Sequence, residues 1–197
     1  MSNPPLILAS SSVYRKELLT RLGLPFETLS PEIDETPLSG ELPYDLSVRL
    51  AREKALAVRA LRSDAVIITS DQVCELNGKP LGKPSTFDRA REQLRAMAGR
   101  EAVFHTALCV IDAQGTVREC VSDTVVTMRE LTDEAIDDYL MREKPFSCAG
   151  SAKIERLGIA LMKSVKSDDP TSLIGLPLMR LTSFLIASGL PPVRGLV

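Results

Sequence analysis

With 197 residues, 44% of them apolar and 25% charged, the chain can bury a sizeable core and fits one domain, or at most two lobes sharing a cleft. Its 24 Lys and Arg against 26 Asp and Glu leave a net charge of -2, so there is no global field for nucleic acid or an acidic membrane, and any anion site must be local. Cys74, Cys109, Cys120 and Cys148 are scattered without a C-x-x-C pair, which argues against zinc and disulfide frameworks, and the first apolar run is too short for a signal peptide or a span; a cytoplasmic chain with reduced thiols is the expectation.

Residues 5–10, PLILAS, predict a buried strand that runs into Ser10, Ser11 and Ser12, followed by a helix over 13–22 with Leu18, Leu19 and Leu22 inward and Gly23 closing it. Amides at that helix start, the turn hydroxyls, and Arg15 with Lys16 could hold a phosphate; taken alone, a Ser12 cap with two solvated cations accounts for the same residues. Residues 25–30 alternate like a strand. The loop 31–37, PEIDETP, carries three carboxylates that either hold Mg2+ or are simply hydrated. A long helix over 44–61 repeats Leu46, Leu50, Ala57 and Leu61 on one face. Lys54 falls on that same apolar stripe, where it must snorkel or pair with an anion.

The stretch from Ala65 to Pro84, AVIITSDQVCELNGKPLGKP, organises the rest. Residues 65–69 predict a short buried strand, which puts Asp71 at a strand's carboxyl end, the edge where open α/β sheets bind ligands. Asn77-Gly78 supplies a tight hairpin turn that folds 79–83 back, so that a carboxylate and Lys83 face one cavity. Ser85 to Asp88 reads as a capping box before a core-facing helix that ends at Gly99. Two long strands, 101–113 and 115–129, form a meander; the lone His105 lies in the first and reads as a packed strand residue. Thr132 starts a helix that Pro145 stops. Residues 149–158, with Lys153 and Glu155, form a glycine-bounded loop or strand, 159–162 an apolar strand, 168–177 a turn-rich loop, and 177–188 a last helix.

In order, the chain shows LILASSSVYR at 6–15, DET at 34–36, AREKA at 51–55, SDQV at 70–73, GKP at 82–84, CAGSAKIE at 148–155 and IGLPL at 174–178. Together these resemble the Maf family of nucleoside triphosphate pyrophosphatases over nearly the whole chain. The resemblance implies an α/β fold of the Maf/ITPase-like kind, a mixed twisted sheet with flanking helices and two lobes around a deep nucleotide-binding cleft. It implies hydrolysis of a nucleoside triphosphate to monophosphate and diphosphate with a divalent cation, Mg2+ or Mn2+. Asp71 matches the catalytic proton acceptor and, with Glu35, a metal-holding position. Arg15, Lys54 and Lys83 match phosphate-facing positions, with Ser10 and Lys16 as weaker matches.

At Tyr14, Gln72 and Glu155 the chain lacks the Arg, Thr and Gln of relatives acting on thymidine and uridine triphosphates, and is similar to the YceF-like subfamily that hydrolyses 7-methyl-GTP. An aromatic face at Tyr14, where many relatives carry Trp, attracts a cationic methylated guanine by roughly 0.5 to 2 kcal/mol. Glu155 could accept from the guanine N1 and N2 groups. A small-molecule nucleotide is the implied partner, with no nucleic acid and no membrane, and a homodimer is the family's frequent state. The alternatives are a pyrophosphatase for other nucleotides such as dTTP or UTP, and a nucleotide-binding regulator of cell division.

Overall fold

A computed structural model describes residues 4–196. Its strands are β1 Leu6–Leu8, β2 Glu27–Thr28, β3 Val66–Leu76, β4 Lys79–Leu81, β5 Glu101–Ile111, β6 Val117–Met128 and β7 Met162–Ser167. Its helices are α1 Val13–Thr20, α2 Pro43–Leu61, α3 Phe87–Met97, α4 Asp133–Glu143 and α5 Leu178–Ala187. One mixed sheet runs β2-β1-β3-β5-β6-β7, with β4 paired to the far end of β3. β1 is parallel to β2 and β3, and the longer strands are antiparallel to one another.

Alternation along β3 sorts the core. Ile67 packs with Ala51, Ala55 and Val58 of α2 on one face. On the other, Val66 and Ile68 meet Leu18 and Leu19 of α1 and Leu181 and Leu185 of α5. Further along that same face, Cys74 and Leu76 meet Leu94 and Met97 of α3 and Ile136 and Leu140 of α4. The two lobes are these two apolar cores on one continuous sheet. Between them lie polar residues of the same face: Ser70, Gln72, Thr106 and Ser122.

The reading of residues 65–69 as a whole strand is corrected. Antiparallel pairing with β5 continues from Ile67–Ile111 to Glu75–Val103 and carries β3 past Asp71, which sits in mid-strand opposite Ala107. The ligand edge arises differently. β1 accompanies β3 only to Ile68, where Ala9 N donates to Ile68 O at 2.8 Å, and β4 begins pairing at Cys74. Residues 69–73 therefore have no strand on that side, and the carboxyl end of β1 opens onto the gap.

The hairpin turn is as expected, with φ of 53° at Asn77 and 77° at Gly78. The cap of α3 is Thr86, whose hydroxyl accepts from Arg89 N, and not Ser85. Residues 159–162 are not a strand: a 3-10 turn spans Leu157–Leu161, and β7 starts at Met162. A four-residue apolar run does not distinguish strand from helical turn, and here Leu161 and Met162 are buried while the rest of β7 is an exposed edge carrying Lys163 and Lys166.

Candidate active site

A cleft of about 650 Å³ lies against the open edge of β3, a size suited to a nucleotide-scale ligand. Its first wall is the turn between β1 and α1. Ser10 Oγ accepts from Ser12 N at 3.1 Å, and Ser12 caps α1 by accepting from Arg15 N. One helical turn in, Arg15 points inward: its Nε donates to Gly175 O at 2.8 Å and its Nη1 to Ser10 Oγ at 3.5 Å. Burial pushes its guanidinium below the ordinary value, against the opposing charges of Asp71 and Glu35.

The second wall explains the lysine on an apolar stripe. Lys54 Nζ, buried under α2, lies 2.6 Å from Asp71 Oδ1 and 2.6 Å from Glu35 Oε1, and Lys83 Nζ lies 3.7 Å from Glu35 Oε2. Desolvation opposes ionisation of Glu35, but the hydrogen bond and charge of Lys54, reinforced by Lys83, outweigh it and hold its carboxyl below the ordinary value. Cations and carboxylates thus alternate along the cleft floor. Such a row can bind a chain of phosphates, neutralise developing charge, and offer a carboxylate to a water.

Tyr14, Gln72 and Glu155 also line the cleft. Desolvation pushes the Glu155 carboxyl above its ordinary value. Gln72 is held by the protein: its Nε2 donates to Thr106 Oγ1 and to the carbonyls of Ser172 and Leu173. Of the residues singled out from sequence, Lys16 is the one the structure does not bring in. It is exposed on α1 and outside the lining, because one residue beyond inward-facing Arg15 turns it about 100° away.

Sequence reasoning missed the seat of Arg15. Gly175 adopts φ of 115°, and a Cβ there would lie 3.4 Å from Arg15 Nε; the glycine within IGLPL was the available signal. Arg156 and Cys148 also line the cleft and were not singled out as site residues. His105 stands apart, buried between Glu75 Oε2 at 3.0 Å and Asp123 Oδ1 at 2.8 Å, with Tyr44 edge-on. It is a packed strand residue, as read, with both ring nitrogens partnered.

Among the described residues, no cluster of three or more His, Cys, Asp or Glu side chains could hold a metal alone. Glu35 and Asp71 nevertheless converge on one cation, the Lys54 ammonium, so two carboxylates already focus on a single point of positive charge. With one oxygen of each on Lys54, the pair could hold a divalent cation through their other oxygens, with phosphate oxygens and water completing its shell.

A family described as Maf-like protein matches residues 5–188. A 7-methyl-GTP pyrophosphatase of Bordetella pertussis is 55% identical over 98% of this chain and 96% of its own. One of Cupriavidus pinatubonensis is 56% identical over 95% of each. Among solved structures, a HAM1 protein from Coxiella burnetii is similar with a TM-score of 0.53 at 17% identity, covering 93% of this chain and 99% of that one. That last likeness concerns the fold. No helix of the described residues is long and apolar enough to cross a membrane.

Proposed function

The chain belongs to the Maf-like family, and from that premise we propose that it hydrolyses 7-methyl-GTP to 7-methyl-GMP and diphosphate, removing a modified nucleotide in the cytoplasm. The observation that carries this reading is the buried Lys54 held between Asp71 and Glu35, beside Arg15 and Lys83, in a chain more than half identical to 7-methyl-GTP pyrophosphatases over nearly its full length.

Arg15, Lys54 and Lys83 bind the phosphate chain and hold the α-phosphorus where water can attack in line. Asp71 takes the proton of that water. Glu35 and Asp71 would hold Mg2+ or Mn2+, which would supply charge neutralisation to the phosphates. Tyr14 offers a π face to the cationic base, and Glu155 an anionic acceptor to its N–H groups. The raised affinity of Glu155 for its proton sets a limit: the preference for the methylated base weakens toward acidic pH, as Glu155 becomes neutral.

The test is diphosphate release with Mg2+ or Mn2+ from 7-methyl-GTP, GTP, dTTP, UTP and CTP, compared as kcat/KM. Preference for 7-methyl-GTP is the expected result. A pyrimidine preference or a flat profile overturns the substrate, and tight binding without release overturns the reaction.

A further inference from the structure

Gln72 and Arg15 belong to different elements, yet one short turn touches both. At its start, Gln72 Nε2 donates to Ser172 O at 3.0 Å and Leu173 O at 3.2 Å, and to Thr106 Oγ1 at 2.9 Å. Thr106 Oγ1 donates to the same Ser172 O at 3.0 Å, and Ser172 Oγ donates to Ser122 Oγ at 2.7 Å. At its end, Gly175 O accepts Arg15 Nε at 2.8 Å.

The inventory of hydrogens fixes the direction of this clamp. Thr106 has one hydroxyl proton and gives it to Ser172 O, so toward Gln72 it is an acceptor only. All three neighbours of the amide therefore require a donor, and the nitrogen must face the turn. The two amide hydrogens are shared among these three acceptors, one of them bifurcated, and none remains for a ligand. The turn crosses the polar gap between the two apolar cores, where Thr106, Ser122 and Ser172 are buried and half-buried Gln72 reaches them from the cleft. Its far end has little slack, since Gly175 is at φ of 115° against the Arg15 side chain.

We propose that Gln72 is a positioning residue for Arg15: through the turn from Ser172 to Gly175 it sets where the guanidinium meets the phosphate chain. This rests on the reading of Arg15 as phosphate-facing. Gln72 thereby controls binding of the part of the substrate common to every nucleotide, in addition to any contact with the base.

The probe is inorganic triphosphate with Mg2+, which has phosphates and no base, titrated calorimetrically into wild type, Gln72→Leu, Arg15→Lys and the double variant. Gln72→Leu is expected to weaken binding about tenfold, the scale of one or two lost hydrogen bonds. In the Arg15→Lys background, where the bond to Gly175 O is already gone, it is expected to change binding by less than about twofold. Unchanged binding in Gln72→Leu, or losses that simply multiply in the double variant, overturn the coupling. If wild type does not bind triphosphate, the phosphate-side reading fails, and this inference with it. Should Gln72→Leu not fold, as judged by melting, Thr106→Val and Thr106→Ser test the same clamp. Val is expected to weaken triphosphate binding and Ser to keep it, and equal behaviour of the two overturns the proposal.

Discussion

Asp71 holds Lys54, and the proposed function asks it also to face a metal and to take a proton; these duties separate by substitution. Asn at this position keeps the shape and one acceptor oxygen for the Lys54 ammonium, which also retains Glu35 at 2.6 Å. The fold is therefore expected to survive. What is lost is the charge and the proton affinity, and general base catalysis is worth about a hundred- to ten-thousandfold. Asp71→Asn is expected to lower kcat by that order with a melting temperature close to wild type; near-normal turnover would remove Asp71 from the role of base. Glu35 makes a separate prediction. Its carboxyl is held below the ordinary value, so its contribution to stability is fully present above the unfolded value of about 4.3 and is lost as pH falls through the lower folded value. Half-exposed and screened by solvent, it contributes modestly. The urea midpoints of wild type and Glu35→Gln are expected to differ at neutral pH and to converge on acidification below about pH 4. A gap that widens in acid has the wrong sign for this pairing.

At the scale of elements, α4 carries the segment that holds Glu155. Tyr139 Oη accepts from Lys153 N at 3.1 Å, Lys153 Nζ donates to Glu143 O at 3.1 Å, and Thr132 caps the helix by accepting from Ala135 N. Tyr139→Phe leaves the Lys153 N–H without its partner at a cost of about 1–3 kcal/mol and loosens the backbone two residues before Glu155. Catalysis is expected to lose discrimination between 7-methyl-GTP and GTP, while binding of Mg2+-triphosphate stays unchanged. Equal loss on both would mean that α4 supports the whole cleft and not its base side. The hold of α4 on Lys153 was not legible beforehand. Periodicity located α4 and its cap, because Ile136 and Leu140 repeat at helical spacing, but a buried tyrosine reads as core until its hydroxyl is seen against Lys153. The apolar run 159–162 was misread for a related reason: so few residues fit a strand and a helical turn equally well.

Across the whole molecule, local chemistry was legible and long-range pairing was not. Lys54 on an apolar stripe had either to snorkel or to pair with an anion, and Asp71 with Glu35 makes the pair. The extent of β3 depended on β5, whose partners to residues 70–75 lie 28 to 38 residues further along, and the seat of Arg15 depended on Gly175, 160 residues along. Those partners meet because β3, β5 and β6 run unbroken beneath both apolar cores, one against α1 and α5 and the other against α3 and α4. Shared strands make the two cores one cooperative unit, since neither can lose its strands without exposing the other. The cleft adds a second link. Arg15 belongs to the first core's side, and Lys83 and Glu155 to the second, so a nucleotide touching all three binds only when both are folded. By mass action, ligand at about a hundred times its Kd stabilises the folded state by about 2.7 kcal/mol. In a domain of this size that raises Tm by about 5–10 °C. Calorimetric scans with a slowly hydrolysed 7-methyl-GTP analogue and Mg2+ are expected to show a single transition that moves as a whole. Two transitions, with the ligand shifting only one, would mean that the continuous strands do not couple the cores and that the nucleotide rests on one side of the cleft alone.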